Sequence, residues 1–433
     1  MGRLFEVREF DRISCNQDYE AEYKFLPKEV FKDLKDFIHE YSSDAEHADA
    51  LDFLRISYRR NVGDIISVNN YVGLIQTRSG YQIQVLPKID FGNASDTQAV
   101  QTKLVFLRML RSMKDFPSKV FNAANLKIER MTLYEIFINM YLQEVRALVK
   151  RGIKSAYVTL EDNLNLFKGK LFINEHLKRN AAHAERFFVC YDEYLLDRAE
   201  NRLIKATLLR LLGITDSAEN QKEIRQLLTA FEMVTPSSNY QKDFSQVVID
   251  RNTKDYDMLM RWSKVFLLNK SFSTFSGGHN ARALLFPMEK VFESYVAQQL
   301  KKALIDLDWD ISCQDKGYYL FDEPRQFALR PDIVVTRTDG SKIVLDTKWK
   351  ALVDRPRINY GISQPDMYQM YAYAKKYETS EIWLLYPINE EMRDHTDISF
   401  SSKDGVNVRL FFVDVANVET SLQSLRNKLI LES

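Results

Sequence analysis

From Arg330 to Lys350 the chain reads RPDIVVTRTDGSKIVLDTKWK, and no other stretch constrains its fold as tightly. Two short apolar runs, Ile333 to Val335 and Ile343 to Leu345, flank Asp339-Gly340, a strong hairpin signal. Asp346 and Lys348 are two apart, so on a strand they share a face. The place of Asp332 depends on the turn. A two-residue loop at Asp339-Gly340 pairs Thr338 with Ser341 and sets Asp332 opposite Thr347, on the wrong face. A three-residue loop, Thr338 to Gly340 with Gly340 left-handed, sets Asp332 opposite Asp346. The three-residue loop is the expectation. It gathers two carboxylates and a lysine, a set suited to holding a hard divalent cation and steadying charge on a phosphate.

The bare pattern also fits an ordinary hairpin with solvated charges at its ends, so its surroundings decide. Upstream, FPMEKVFESYVAQQLKKAL reads as a helix with Pro287 first and an apolar face of Met288, Val291, Phe292, Tyr295, Val296 and Leu300. Glu289 and Glu293 lie one turn apart, and Glu293, which adjoins the apolar face, is the better candidate to reach a metal. Downstream, SQPDMYQMYAYAKKY reads as a second helix that starts at Ser363 or Gln364 and carries Asp366, Gln369 and Tyr373. Gln369 and Tyr373 share a face. EIWLLYP follows as an apolar strand. Helix, strands, hairpin, helix, strand is the core order of the PD-(D/E)xK nucleases, and QMYAY resembles the Gln-x-x-x-Tyr element of their RecB-like branch.

The rest of the chain has room for two further parts. Residues 71–89, YVGLIQTRSGYQIQVLPKI, alternate as a half-buried hairpin turning at Arg78-Ser79-Gly80. Helices are expected over about 97–113, from Thr132 to a stop at Gly152, from a capping box of Asp197 and Glu200 to Gly213, and around 218–233 and 255–270. Thr132 and Glu135 form another expected capping box. SGGHNAR reads as a flexible joint before the last domain. The expected architecture is therefore mixed α+β: a β-rich module at 1–95, a mainly helical, partner-binding region at 96–285 and an α/β nuclease domain at 286–433.

A formal net charge of zero excludes DNA capture by a global positive field and calls for a local basic surface or a partner. Arg325, Arg330, Lys350, Arg355 and Arg357 flank the candidate site, while Lys168 to Lys170 with Lys178 and Arg179 form a second basic cluster. Three cysteines without paired spacing argue against structural zinc and fit a reducing cytoplasm. No apolar run approaches membrane-spanning length, so no membrane role is expected. Gly169-Lys170 is the only Gly-Lys pair and Leu164 stands where a phosphate loop needs its first glycine, so this chain is expected to bind no nucleotide.

Several stretches taken together resemble the McrC family, the endonuclease subunits of McrBC-type GTP-dependent restriction systems. They are LFKGKLFINEHLKRN, YDEYLLDRAENRLIKATL, FPMEKVFESYV, RPDIVV with LDTKWK, and SQPDMYQMYAYA with LLYP, in the family's order from about residue 160 to 390. GLIQTRSGYQIQVLPKI looks like the amino-terminal part of longer members, whereas residues 1 to about 60 match nothing in the family. The resemblance implies a Mg²⁺-dependent endonuclease subunit that docks on a hexameric AAA+ GTPase of the McrB type. The partner would hold the GTP motifs and read modified cytosine in double-stranded DNA. Family site residues carry onto Asp332, Asp346 and Lys348, and further onto Glu293 and Gln369, with the Thr347 carbonyl as an added metal ligand. The rivals are a stand-alone nuclease of the same fold acting in repair, and a non-catalytic adaptor. Cutting of DNA by this chain alone would identify the first. The gathered carboxylates speak against the second, because an adaptor has no use for charges that repel one another.

Overall fold

In the computed structural model the described residues are 4–42, 54–77, 81–89, 98–113, 116, 131–268, 282–395 and 397–431. The Arg78-Ser79-Gly80 turn, Thr97 and most of SGGHNAR lie outside them. The chain forms two compact units, one of residues 3–116 with 271–433 and the other of 117–270 with the first two residues.

The amino-terminal part of the discontinuous unit holds β1 (Leu4–Arg8), β2 (Arg12–Ser14), β3 (Lys24–Phe25), α1 (Lys28–Ser42), β4 (Leu54–Arg59), β5 (Gly63–Val68), β6 (Tyr71–Gln76), β7 (Gln82–Leu86) and α2 (Gln98–Leu110). Strands β3-β2-β5-β4 form one four-stranded sheet. The hairpin β6–β7 is present, but it is buried on both faces rather than half-buried. Its flanks are β1, parallel to β7, and a strand from far downstream, β11, antiparallel to β6. Gln84, expected on a solvent face, is fully buried and donates to Glu6 (2.7 Å). Gly73 allows this closeness: its φ is +142°, and a Cβ there would lie 2.0 Å from the Leu284 carbonyl oxygen.

The second unit contains α3 (Leu133–Arg151), β8 (Ala156–Leu164), β9 (Lys170–Leu171), α4 (Ile173–Arg179), β10 (Phe187–Leu195), α5 (Ala199–Leu212), α6 (Ala218–Ala230), α7 (Tyr240–Gln246) and α8 (Lys254–Leu268). It is mainly helical, with one small sheet ordered β8-β10-β9. Thr132 caps α3 by accepting from the Glu135 N–H (3.2 Å), and Gly152 ends it at φ +95°. The return half of that capping box is not made. Glu135 is spent on Thr215, the Asp216 N–H and Asn220, which tie α3 to α6. The Asp197–Glu200 box is absent: Arg198 is the N-cap of α5, Glu200 pairs with it at 2.7 Å, and Asp197 accepts from the Thr235 N–H. A cation two residues away outcompetes a neutral backbone donor for a carboxylate.

The chain then returns to the first unit with β11 (Arg282–Pro287), α9 (Met288–Ala303), β12 (Asp310–Cys313), β13 (Tyr319–Asp322), β14 (Arg325–Ala328), β15 (Ile333–Thr336), β16 (Lys342–Thr347), α10 (Gln364–Tyr377), β17 (Glu381–Pro387), β18 (Ser399–Ser401), β19 (Asn407–Val413) and α11 (Val418–Leu431). Pro287 ends β11 and caps α9 instead of starting it. A six-stranded mixed sheet, ordered β12-β15-β16-β17-β19-β18, runs through this part. Its centre is parallel and its apolar strands are buried, as helix-covered sheets require. Helix α2 and strand β11 lie in the same unit as the parts that flank them. Phe106 packs edge-on to Phe286 (5.9 Å between centroids), and β11 completes the sheet begun by β6.

Candidate active site

The register of β15 against β16 places the carboxylates. Ile333 faces Leu345 and Thr336 faces Lys342, a pairing that carries on to Asp332 opposite Asp346. The turn is the three-residue form: Arg337 N–H donates to Ser341 O (2.9 Å), Gly340 N–H donates to Arg337 O (3.0 Å), and Gly340 has φ +85°.

Asp332, just before β15, accepts from both the Thr347 N–H (2.8 Å) and the Thr347 hydroxyl (2.6 Å) on Oδ2. Asp346 is 2% exposed. Its Oδ2 lies 2.6 Å from Lys348 Nζ, yet that oxygen has no hydrogen bond of proper direction. Lys348 Nζ donates to Gln369 Oε1 (3.2 Å) on α10, and Gln369 Nε2 donates to the Tyr373 hydroxyl (2.8 Å). Ser363 caps α10 by accepting from the Asp366 N–H, which fixes where Gln369 falls. Tyr373 is buried while Gln369 is exposed, so the pair spans the rim of the site.

The electrostatics follow from burial. The Asp346 carboxyl is pushed up by desolvation and then by the charge of Asp332. Asp332 is also raised by burial, against the two bonds from Thr347. Burial pulls the Lys348 ammonium down, but Asp346 and then Asp366 and Asp332 more than restore it, so it stays charged. Glu293 on α9 is pushed up to about 7 by burial and the Asp332 charge, and accepts from Gln314 Nε2 (2.5 Å). Glu289, the other candidate on that helix, is exposed and accepts from Asn70 Nδ2.

The structure thus brings Asp332, Asp346, Thr347, Lys348 and Gln369 into one chain of contacts and sets Glu293 within electrostatic reach. Among the described residues, no three His, Cys, Asp or Glu side chains are grouped as metal ligands. Mg²⁺ does not need three: it retains several waters and binds proteins through one or two carboxylates. Two mutually repelling carboxylates, Asp346 buried with an oxygen lacking a hydrogen bond and Asp332 half-buried, fit such a cation.

Sequence reading missed Gln314 and above all Glu9. Glu9 is 1% exposed and accepts from Trp349 Nε1 on both oxygens (3.1 and 3.0 Å). A signal existed: Phe5, Val7 and Glu9 alternate along one strand face, and a Glu on an apolar stripe needs a partner. The flanking cations Arg325, Arg330, Lys350, Arg355 and Arg357 are all exposed, as a phosphate-facing surface requires. The second basic cluster is spent locally, with Lys168 on Glu193 and Tyr191, and Lys178 and Arg179 on Glu175.

Fold and site together define an α/β protein built on a mixed sheet, with an acidic pair and a lysine at the ends of neighbouring strands. The family model for McrBC 5-methylcytosine restriction system components matches residues 66–387, and the chain belongs to that family. In fold it is similar to a chain of the refined half-complex from a tetradecameric assembly of Thermococcus gammatolerans McrB AAA+ hexamers with bound McrC. That likeness has a TM-score of 0.69 at 19% identity and covers 98% of this chain and 100% of the other. A chain of the Thermococcus gammatolerans McrBC complex, seen by cryo-EM, aligns over 70% of this chain and 88% of its own, with 20% identity and a TM-score of 0.48. No curated protein matches this sequence. No helix among the described residues is long and apolar enough to cross a membrane.

Proposed function

We propose that this chain is the Mg²⁺-dependent endonuclease subunit of a GTP-dependent restriction complex, cutting modified double-stranded DNA with a PD-(D/E)xK site. The observation that carries the reading is the Asp332–Asp346 pairing, with Lys348 held between Asp346 and Gln369, in a chain of the McrBC family. Asp332 and Asp346 hold the cation, with the Thr347 carbonyl as a further ligand and Glu293 beside them. When bound there, Mg²⁺ supplies Lewis acidity and makes water nucleophilic near neutral pH. Thr347 orients Asp332 through its N–H and hydroxyl, which fixes one carboxylate against the other. Lys348, kept charged by Asp346, turns to the scissile phosphate and stabilises the negative charge that develops on it. Gln369, itself held by Tyr373, sets the direction of that ammonium.

The zero net charge supports a partner that concentrates the subunit on DNA. We place the docking of a hexameric AAA+ GTPase of the McrB kind on residues 1–285, which would also stimulate its turnover. The exposed Tyr157, Leu166, Leu177 and Tyr194 around β8 to β10 are apolar surface of the kind protein partners cover. The test is the assembled complex on a methylated plasmid with GTP and Mg²⁺. Asp346→Ala should abolish cutting while partner GTP hydrolysis remains stimulated. Cutting at the wild-type rate by Asp346→Ala overturns the site.

A further inference from the structure

We propose that Glu9 is a positioning residue for this centre: through Trp349 it fixes the strand end that carries Lys348 and, by way of Phe292, the helix that carries Glu293. The proposal rests on the nuclease reading above and adds a residue from the far end of the sequence.

Four observations carry it. Glu9 and Trp349 are separated by 340 positions, yet they form a buried contact in which the indole N–H reaches both carboxylate oxygens. Trp349 is 4% exposed, directly follows Lys348, and packs its ring on Phe292 with centroids 5.3 Å apart. Phe292 directly precedes Glu293. The β1-β7-β6-β11 sheet also holds α9 from its other end. Strand β11 runs straight into that helix, the Met288 N–H donates to Asn70 O (2.9 Å), and Asn70 Nδ2 donates to Glu289 (3.3 Å). One sheet therefore grips both halves of the site, α9 by chain continuity and β16 by the Glu9 hydrogen bond.

Economy of folding does not account for Glu9. A carboxyl at 1% exposure is costly, and its hydrogen bonds come from Trp349 and the Lys88 N–H (3.2 Å), with no cation among them. Burial raises it to about 8, so the group is largely neutral at physiological pH and still binds the indole. A leucine of similar volume would fill the space more cheaply. What it would lose is a directional tie on Trp349. Catalytic geometry is sensitive on that scale: outer-shell partners of a metal site typically cost about 10–100-fold in affinity or activity when removed.

The test compares Glu9→Leu, Glu9→Gln and Trp349→Phe with wild type in the full-length chain, with Asp346→Ala alongside. Mn²⁺ binding to the metal-free chain is measured by calorimetry, and single-turnover cutting by the assembled complex is measured against Mg²⁺ concentration. Glu9→Leu should weaken Mn²⁺ binding and slow cutting by about 10–100-fold, and Trp349→Phe by a similar factor. Glu9→Gln, whose amide oxygen still accepts from the indole, should stay within about threefold of wild type on this scale. A purely structural role predicts lowered melting temperatures with Mn²⁺ affinity and rate unchanged below the transition, and that result overturns the proposal. Failure of the nuclease reading looks different: Asp346→Ala then cuts and binds Mn²⁺ like wild type, whatever the Glu9 variants do.

Discussion

Two antiparallel hairpins follow one another in the chain and differ in almost everything but connectivity. The first, β13–β14, pairs only with itself and is exposed along nearly its whole length, with Phe321 at 56% and Phe327 at 68%. It is tied down at its base by the Leu329 N–H to Tyr318 O and by Tyr318 against Tyr377, and beside its turn by Lys376 on Asp322. The second, β15–β16, lies inside a six-stranded sheet, with Ile333 to Val335 and Ile343 to Thr347 all buried. At the end of the second, burial raises the carboxyls of Asp332 and Asp346. Water screens a charge on an exposed ribbon, whereas a carboxylate at a buried strand end feels its neighbours in full. That burial is what sets Asp332 and Asp346 apart as the pair proposed above to hold a cation.

The largest effect should separate the hairpins by activity. Lys348→Met should lower cutting by the complex about 10²–10³-fold, the usual loss when one charge-stabilising donor is removed. Arg325→Ala on the exposed hairpin should lower it less than about tenfold, since one phosphate contact is a small part of DNA binding. Equal losses in a cleavage assay would break the contrast. Stability should follow the same division. Leu345→Ala should cost about 2–5 kcal/mol through the cavity it leaves, and Phe327→Ala less than about 0.5 kcal/mol, both read from denaturant unfolding.

The pH dependence sharpens the comparison further. Glu293 is raised from an ordinary glutamate value to about 7, so the native chain binds a proton that the unfolded chain releases. That contribution is fully present below about pH 4.5 and is lost as pH climbs through 7. Metal-free protein should therefore melt at progressively lower temperature from about pH 5 to 7.5. Glu293→Gln should flatten this slope. The smallest effect on cutting is expected at Gly340, where φ is +85° and a Cβ would meet nothing within 4 Å. Gly340→Ala should cost about 1–2 kcal/mol of left-handed strain while cutting is preserved, because the register is held by the sheet. Loss of cutting without loss of stability would show that the turn, not the sheet, sets the pairing.

What the sequence disclosed was local. The spacing of Asp339-Gly340 between two apolar runs allowed two registers, and the expected three-residue turn, which sets Asp332 opposite Asp346, is the one the strands adopt. The i to i+4 step likewise gave Gln369 with Tyr373, and Ser363 ahead of Pro365 gave the start of α10. What stayed hidden depends on partners hundreds of positions away. Nothing near Tyr71 to Leu86 announces that β1 and β11 flank that hairpin, so Gln84 read as a solvent-facing residue. The Asp197–Glu200 box failed because Arg198, between them, offers Glu200 a cation. Periodicity reports which face is apolar, but it does not report which distant surface covers that face.

The discontinuous unit also sets an order of events during synthesis. Its amino-terminal strands are made first, and the residues of the second unit, 117–270, then leave the ribosome before β11 exists to complete the first sheet. At about 5–20 residues per second, Glu9 waits roughly 17 to 70 seconds for an indole 340 positions later. The second unit has its whole sequence available during that interval and is free to fold while the first is still missing a strand. The acid pair, the lysine and their distant support therefore come together only once the final third of the chain has been translated.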